Sequence, residues 1–228
     1  MKILAIDTAA DVGSVAFLED HHLQAEYRIR QKRIQSKKLV PVIQSLLADL
    51  EWKFSDLSGV AAAIGPGSFT GLRIGLSVAK GIAFAGNLPF TSVVSLDALA
   101  LPFSGTGGLV CAMIRFRKQD YYLAVYKSNG SQMERVSEYE VLYLDELNDF
   151  LPDGTILTGD FSEEEMSRLK GFIRKEVELA PPVCRSSSAL YVGLLGIENL
   201  RLGKIEDLDR VVPFYLKDFP VKTRGKIV

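Results

Sequence analysis

Gly65-Pro66-Gly67-Ser68-Phe69-Thr70-Gly71-Leu72-Arg73-Ile74-Gly75 follows the short apolar run Gly59 to Ile64 and opens an apolar stretch that continues to Ala85. The order reads as a buried strand, a glycine turn and a helix, which is the building unit of an α/β fold. The turn is not a P-loop, because Gly71 is followed by Leu72 where a phosphate-binding loop needs Lys and then Ser or Thr. Backbone amides at a helix N-terminus, approached closely at glycines, still make a reasonable anion site. The plainer reading of the same residues is a tight turn with Ser68 or Thr70 as the cap.

Working outward, Lys2 to Thr8, Gly13 to Leu18 and Leu23 to Arg30 read as an antiparallel meander, with Glu19-Asp20-His21-His22 as a polar turn. Leu39, Val42, Ile43, Leu46, Leu47 and Leu50 then fall at the i, i+3, i+4, i+7 spacing of an amphipathic helix. Ser36 is its expected N-cap, and Pro41 argues for a kink or a later start. Pro89 to Val94 is a further strand and Leu96 to Leu101 a short helix. Ser104-Gly105-Thr106-Gly107-Gly108 has linker composition, so the chain divides into residues 1–104 and 105–228.

After the linker the plan repeats. Leu109 to Phe116 and Tyr121 to Lys127 read as strands, Asn129-Gly130 as a hairpin turn, and Gln132 to Val141 as a third strand. Leu4-Ala5-Ile6-Asp7 falls over Ala112-Met113-Ile114-Arg115, a match of pattern that points to a duplicated unit. Asp145 to Leu151 is a short helix, Thr155 to Thr158 a strand, and Ser162 to Phe172 a helix whose start carries Glu163, Glu164 and Glu165. Ser186 to Leu202 is a long apolar helix. Val211 to Leu216 is extended, and the last residues can return to the N-terminal half.

The Thr70 to Ala85 helix is unusually apolar. At about 100° per residue, its polar side chains are confined to a narrow strip of Arg73, Ser77 and Lys80. The middle of the apolar arc is the row Gly71, Gly75, Ala79 and Ile82, small enough for a second helix to approach closely. Either a neighbouring helix of the same chain or a partner subunit covers it. The partner version predicts an apolar patch on the isolated chain.

Composition narrows the function. The 228 residues carry 27 basic and 28 acidic side chains, 47% apolar residues and a pI near 6.2, so the chain has no concentrated basic surface with which to grip nucleic acid alone. Cys111 and Cys184 form no CxxC pair, and the adjacent His21 and His22 form no metal-binding spacing. No metal or cofactor is expected. No apolar run reaches 18 residues and no signal-peptide core is present, so a cytoplasmic protein free of the membrane is the expectation.

Three blocks carry a family resemblance: Ile3-Leu4-Ala5-Ile6-Asp7-Thr8 with Ser14-Val15-Ala16; Gly65 to Gly75 with Ala79-Lys80-Gly81; and Ser95-Leu96-Asp97-Ala98-Leu99-Ala100. On these residues the chain resembles the TsaB (YeaZ) family, accessory subunits for threonylcarbamoyladenosine modification of transfer RNA. Pro213-Phe214-Tyr215-Leu216-Lys217 is similar to the family's Pro-x-Tyr-Leu-Arg ending. The resemblance implies an actin-like, sugar-kinase-like (ASKHA) fold of two ribonuclease-H-like halves, each a mixed sheet with flanking helices.

It further implies a non-catalytic scaffold that pairs as a heterodimer with a larger catalytic paralogue, TsaD, and is joined by a small ATPase, TsaE. Transfer RNA is then contacted only through the complex. Pairing in the family uses the first two helices, here about Ser36 to Leu50 and Thr70 to Ala85. Their apolar positions Leu39, Ile43, Leu46, Gly71, Ile74, Gly75, Val78, Ala79 and Ile82 become the expected partner surface, which could also form a homodimer when the chain is alone. On this reading Gly75→Arg leaves the monomer folded and blocks pairing.

Two departures stand out: Arg115-Phe116-Arg117 where the family has Asp-Ala-Arg, and Gln35-Ser36-Lys37 where it has His-Ser-Glu. Arg115 removes a magnesium-linked acid and reverses the local charge.

Two other functions compete. One is an ATP-binding or ATP-hydrolysing phosphotransferase of the same fold, with Asp7, Thr8, Gly65, Gly67 and Ser68 around nucleotide phosphates; against it, Asp7 at a strand end is also an ordinary turn residue. The other is a glycoprotease-like peptidase, poorly served by two histidines in one turn. Lys217, Lys222, Arg224 and Lys226 could touch RNA phosphate, or be a solvated terminus. Tyr121, Tyr122 and Tyr126 could stack on bases, or pack a sheet.

Overall fold

The computed structural model describes residues 1–30, 35–116, 120–130, 132–173 and 176–216, with the side chains of 35–37 also outside the description. Three strands open the chain: β1 (Lys2–Asp7), β2 (Val12–Glu19) and β3 (His22–Arg30). They pair as an antiparallel meander with β2 in the middle. Glu19 pairs with His22 across a two-residue turn in which Asp20 takes φ 52°, a conformation its short polar side chain tolerates.

Helix α1 (Gln35–Asp49) follows. Ser36, the expected N-cap, falls within this helix, and its side chain lies outside the described residues. Pro41 is inside the helix as well, and the helix neither starts nor ends there. Leu39, Ile43 and Leu47, all buried, pin successive turns to the sheet around it. β4 (Gly59–Gly65) pairs parallel with β1, α2 (Phe69–Gly86) crosses back, and β5 (Phe90–Val94) pairs parallel with β4. The first sheet thus has the order β3-β2-β1-β4-β5. α3 (Ser95–Ala100) leads out of it.

The second sheet repeats the first. β6 (Leu109–Arg115) pairs antiparallel with β7 (Asp120–Asn129), as β1 does with β2. The strand expected over Gln132 to Val141 is two strands, β8 (Gln132–Arg135) and β9 (Glu140–Tyr143), both pairing with β7. The break has a local cause: the Val136 and Ser137 amides both donate to the Val125 carbonyl, and the Ser137 hydroxyl accepts the Val125 amide, so side-chain bonding replaces the ladder there.

α4 (Leu147–Phe150) is shorter than expected. It is followed by β10 (Thr155–Thr158), α5 (Glu163–Phe172) and β11 (Val177–Leu179), a strand that the sequence reading missed. The order β11-β10-β6-β7-β8 matches that of the first sheet strand for strand. Each half is a mixed sheet with helices, as the duplicated pattern implied.

α6 (Ala189–Arg201) starts later than Ser186 because the Ser188 hydroxyl accepts the Leu190 amide and caps it. It does not stay with the second sheet. Ala189, Val192, Ile197 and Leu200 pack on Ile3, Ala5, Ala16, Leu18 and Ala61, one face of the first sheet. Leu4, Ile6, Val15 and Phe17 point to the other face, where α1 and α2 lie, as strand alternation requires. The return to the first half therefore begins at Ala189. It continues to the strap 211–216, where the Phe214 amide donates to the Ile64 carbonyl. Among the described residues no helix is long and apolar enough to cross a membrane.

α3 sits between the halves, where Leu96, Leu99 and Ala100 meet Ala112, Ile114, Tyr122, Ala124 and Tyr126. Asp97 accepts hydrogen bonds from Tyr126 and Tyr139 at 2.7 and 2.8 Å. Tyr121, Tyr122 and Tyr126 are buried, so these aromatics pack the sheet and offer no stacking face. Across the opposite side, Arg30 grips Asp160 through both guanidinium nitrogens at 2.7 and 2.9 Å. Arg30 is 60% exposed, which limits the value of this pair. Asp160→Ala is expected to lower the unfolding free energy by at most about 1 kcal/mol in urea titrations, with the difference vanishing at high salt.

Candidate functional site

Two places suggested by the sequence can be built up from their residues: the glycine turn with Asp7, and the α1–α2 face. In the first, Asp7 ends β1 fully buried, and its Oδ1 accepts the Ala9 amide at 2.9 Å. This is a local turn bond, the role a strand-end Asp often takes. The Thr8 hydroxyl donates to the Gly71 carbonyl at 2.8 Å, tying β1 to the first turn of α2.

Gly65 takes φ 114°, and its peptide bond to Pro66 is cis. The Ser68 amide donates to the Ala9 carbonyl at 2.7 Å, and a Cβ at Gly67 would come within 2.2 Å of that same oxygen. The Ser68 hydroxyl accepts the Gly71 amide, so Ser68 is the cap. The expected anion residues thus come together, but Asp7, Thr8, Gly67 and Ser68 are engaged with one another's segments. A carbonyl oxygen, which repels anions, occupies the place where Gly67 would let a phosphate approach.

The cleft beside this turn is lined from both halves, by Ala9, Ala10, Asp11, Gly67, Ser68, Phe69, Leu99, Met113 to Phe116, Asp160, Arg185 and Ser187. Its volume is about 170 Å³, below the roughly 300–1,000 Å³ of ordinary small-molecule sites. Arg115 stands at its edge, paired at 2.9 Å with Glu165. Glu165 is itself buried as the third residue of α5's capping box with Ser162. The charge reversal at position 115 is therefore balanced within the chain. Arg117, the side chains of Gln35, Ser36 and Lys37, and the tail cations from Lys217 onward lie outside the described residues. His21 is spent on Glu198 and Arg201 at an exposed edge.

Burial pushes the Asp7 carboxyl up from its ordinary value, against the Ala9 amide, the Ser187 hydroxyl and Arg28, which favour the ionised form. The native state then holds this proton more tightly than the unfolded chain. Stability from the group is fully present below the ordinary Asp value of 3.8 and is lost as pH rises through the higher native one. Asp7→Asn keeps the acceptor for Ala9 and removes the charge. It is expected to be at least as stable as the parent at pH 7, with a flatter stability profile above pH 4, measured by urea unfolding across pH. A clear loss of stability at pH 7 would contradict this account.

The second place requires a correction. Gly71, Gly75 and Ala79 are buried, and with Leu72, Leu76 and Ala83 they make the face of α2 that packs on its own chain. A Cβ at Gly75 would lie 2.1 Å from the Thr8 hydroxyl oxygen. The space at Gly75 is taken by Thr8, the residue after β1, and not by a foreign helix, so Gly75→Arg is expected to prevent the monomer from folding. Leu39 and Ile43 are likewise core residues. Of the nine expected partner residues, Leu46, Ile74, Val78 and Ile82 keep part of their surface in solvent.

The outward arc of α2 lies beside that row and includes Gly81, where an added Cβ meets no described residue within 4 Å. Here Val40 of α1, Phe54, and Val78, Gly81, Ile82, Ala85 and Leu88 in and just after α2 line an apolar groove. Phe84 stands beside it in the sequence with 80% of its surface exposed. The sequence reading missed Val40, Phe54, Gly81, Phe84, Ala85 and Leu88. The signal was present in the second half of the helix, where Val78, Gly81 and Ala85 extend the apolar arc to one side of the small row, away from the sheet.

The comparisons agree with this architecture. The TsaD family model, described as tRNA N6-adenosine threonylcarbamoyltransferase, matches residues 23–196. The tRNA threonylcarbamoyladenosine biosynthesis protein TsaB of Bacillus subtilis (strain 168) is 31% identical over 230 residues, spanning 95% of this chain and 94% of that protein. Among solved structures, YeaZ from Pseudomonas aeruginosa aligns with a TM-score of 0.80 at 23% identity, covering 94% of this chain and 99% of its own. An activator of 2-hydroxyisocaproyl-CoA dehydratase from Clostridium difficile, solved with bound ADPNP, shares the fold at a TM-score of 0.52 and 9% identity, covering 90% and 97%. The halves therefore form the actin-like architecture expected from the resemblance. With a near full-length relative at this identity, the chain belongs to the TsaB (YeaZ) family.

Proposed function

We propose that the chain is a non-catalytic scaffold in threonylcarbamoyladenosine modification of transfer RNA, acting by pairing with a TsaD-type catalytic paralogue through the outward face of α1 and α2. The observation that carries this reading is the groove of Val40, Phe54, Val78, Gly81, Ile82, Ala85 and Leu88, which the described residues leave uncovered, with the exposed Phe84 next in sequence to its lining. Exposed apolar surface of this kind is what an interface core requires. The full-length relative named for this pathway supports the same assignment. A TsaE-type ATPase joins the pair, and RNA is reached through the complex.

The buried Asp7, the engaged Ser68 amide and the small cleft speak against the phosphotransferase alternative. The test is to mix the purified chain with the larger paralogue from the same genome and follow their elution and turnover. Co-elution, with modification activity only in the mixture, is the expected result. Separate elution, or ATP hydrolysis by the chain alone that Asp7→Ala abolishes, would overturn the proposal.

A further inference from the structure

α2 touches its own chain along more than one line. Leu76, Ala79 and Ala83 rest on the first sheet, while the strap 211–216, in neither helix nor strand, follows a separate line along the helix. Lys80 donates to the Val211 carbonyl at 3.2 Å, and Phe69 at the start of α2 stacks on Tyr215, with ring centroids 5.7 Å apart and planes at 28°. At about 100° and 1.5 Å per residue these attachments are about 16 Å apart, within about 20° of one line and roughly 160–180° from Val78. No strap residue lines the apolar groove. The other contacts of the strap lead to the end of β4 and to the second half. The Phe214 amide donates to the Ile64 carbonyl, and a Cβ at Gly65 would come within 2.7 Å of the Phe214 carbonyl oxygen. The Phe214 ring stands against Tyr139, between β8 and β9, with centroids 5.7 Å apart and planes at 68°. Leu216 packs against the cluster that α3 forms with β6 and β7.

We propose that the strap is a clasp by which the second half fixes the orientation of α2, so that the docking face is already formed when a partner arrives. This rests on the pairing proposed above and assigns Phe214, Tyr215 and Lys80 to it as positioning residues that need not touch the partner. Apolar packing on a sheet has no preferred direction, so a helix held by that face alone can roll and slide. An aromatic stack at one point and a hydrogen bond about three turns further on have direction, and together they fix both motions. The strap can serve as a brace because Tyr139 and Leu216 tie it to the second sheet. Orientation set before contact is ordering that association does not have to supply.

The test is hydrogen–deuterium exchange of the full isolated chain, read at α2 and at α6, with affinity for the larger paralogue measured on the same proteins. α6 packs on the other face of the first sheet and serves as the internal reference. Phe214→Ala and Tyr215→Ala are expected to speed exchange in α2 by about 10-fold while α6 stays within about twofold of the parent. Pairing is expected to weaken by about 5- to 20-fold. Tyr215→Phe keeps the ring and is expected to restore both. Lys80→Met removes one hydrogen bond and keeps the stem, so it reports a smaller change of the same sign even where a strap alanine fails to fold. Equal acceleration in α2 and α6 would overturn the clasp, leaving the strap as general stabilisation. Unchanged exchange in α2, or faster exchange with pairing within twofold of the parent, would overturn it as well. The two readings fail separately: if Gly81→Arg leaves pairing intact the docking face is wrong, whereas if Gly81→Arg blocks pairing and the strap variants pair like the parent only the clasp falls.

Discussion

Gly75→Ala is expected to lower the unfolding free energy by about 2–3 kcal/mol, and Gly75→Arg to prevent folded protein from accumulating at all. The Cβ added at this position would sit 2.1 Å from the Thr8 hydroxyl oxygen and 3.2 Å from Thr8 Cβ. Neither neighbour is the free end of a flexible side chain. The hydroxyl is held by its bond to the Gly71 carbonyl, and Thr8 follows directly on β1, the middle strand of the first sheet. Relief would require α2 to lift from the sheet, uncovering Leu72, Leu76 and Ala83. With arginine, a charge would also enter a buried site, and domains of this kind hold only about 5–15 kcal/mol in total.

The mechanism makes a further demand. Thr8→Ala alone should cost about 1 kcal/mol through the lost hydrogen bond. Combined with Gly75→Ala it should cost less than the two singles added, by about 1 kcal/mol or more, because the offending oxygen is gone. Urea unfolding of the four proteins reads this directly. Strict additivity would mean that the glycine is needed for some other reason.

Gly81→Arg, six residues on, should behave in the opposite way. No described residue lies within 4 Å of the added Cβ, and glycine is the poorer helix former by about 1 kcal/mol, so the variant should be as stable as the parent or slightly more so. Pairing should nevertheless fall by at least about 100-fold. The arginine would project from the floor of a groove lined by Val78, Ile82 and Ala85, where a partner's apolar surface would have to strip its water without offering a counter-charge. Phe84→Ala, removing an 80% exposed ring, should weaken pairing less and leave melting unchanged. Parallel measurements of melting temperature and of affinity for the larger paralogue check both expectations. A Gly81→Arg chain that pairs normally would refute the assigned face.

Much of the architecture could be read from local pattern. The alternation in β1 and β2, the polar turn at Asp20 and the spacing of Leu39, Ile43 and Leu47 each express a backbone period. The repeated strand order was visible because both halves use the same meander. The Ser68 cap was one of two candidates that sequence offered, and geometry chose it. What escaped was whatever depends on contacts distant along the chain. β11 is three residues long and earns its place only by pairing with β10. The break between β8 and β9 follows from Ser137 reaching Val125. The return of α6 depends on Gly193 and Gly196 fitting against Leu18 and Ala61, where a Cβ would come within 2.4 Å.

The candidate site divides in the same way. Spacing alone established that α2 is a helix, that it is apolar over most of its circumference and that small residues line one row. It also carried the family resemblance, through the glycine segment that joins β4 to this helix. Which arc of α2 packs on the described chain and which stays exposed was decided only in the folded molecule, where Thr8, directly after β1, fits under Gly75 while Gly81 faces outward. The reason is that hydrophobic burial has no direction: a period of 3.6 residues shows that apolar faces exist, but their azimuth is set by the shape of the surface against which the helix comes to rest.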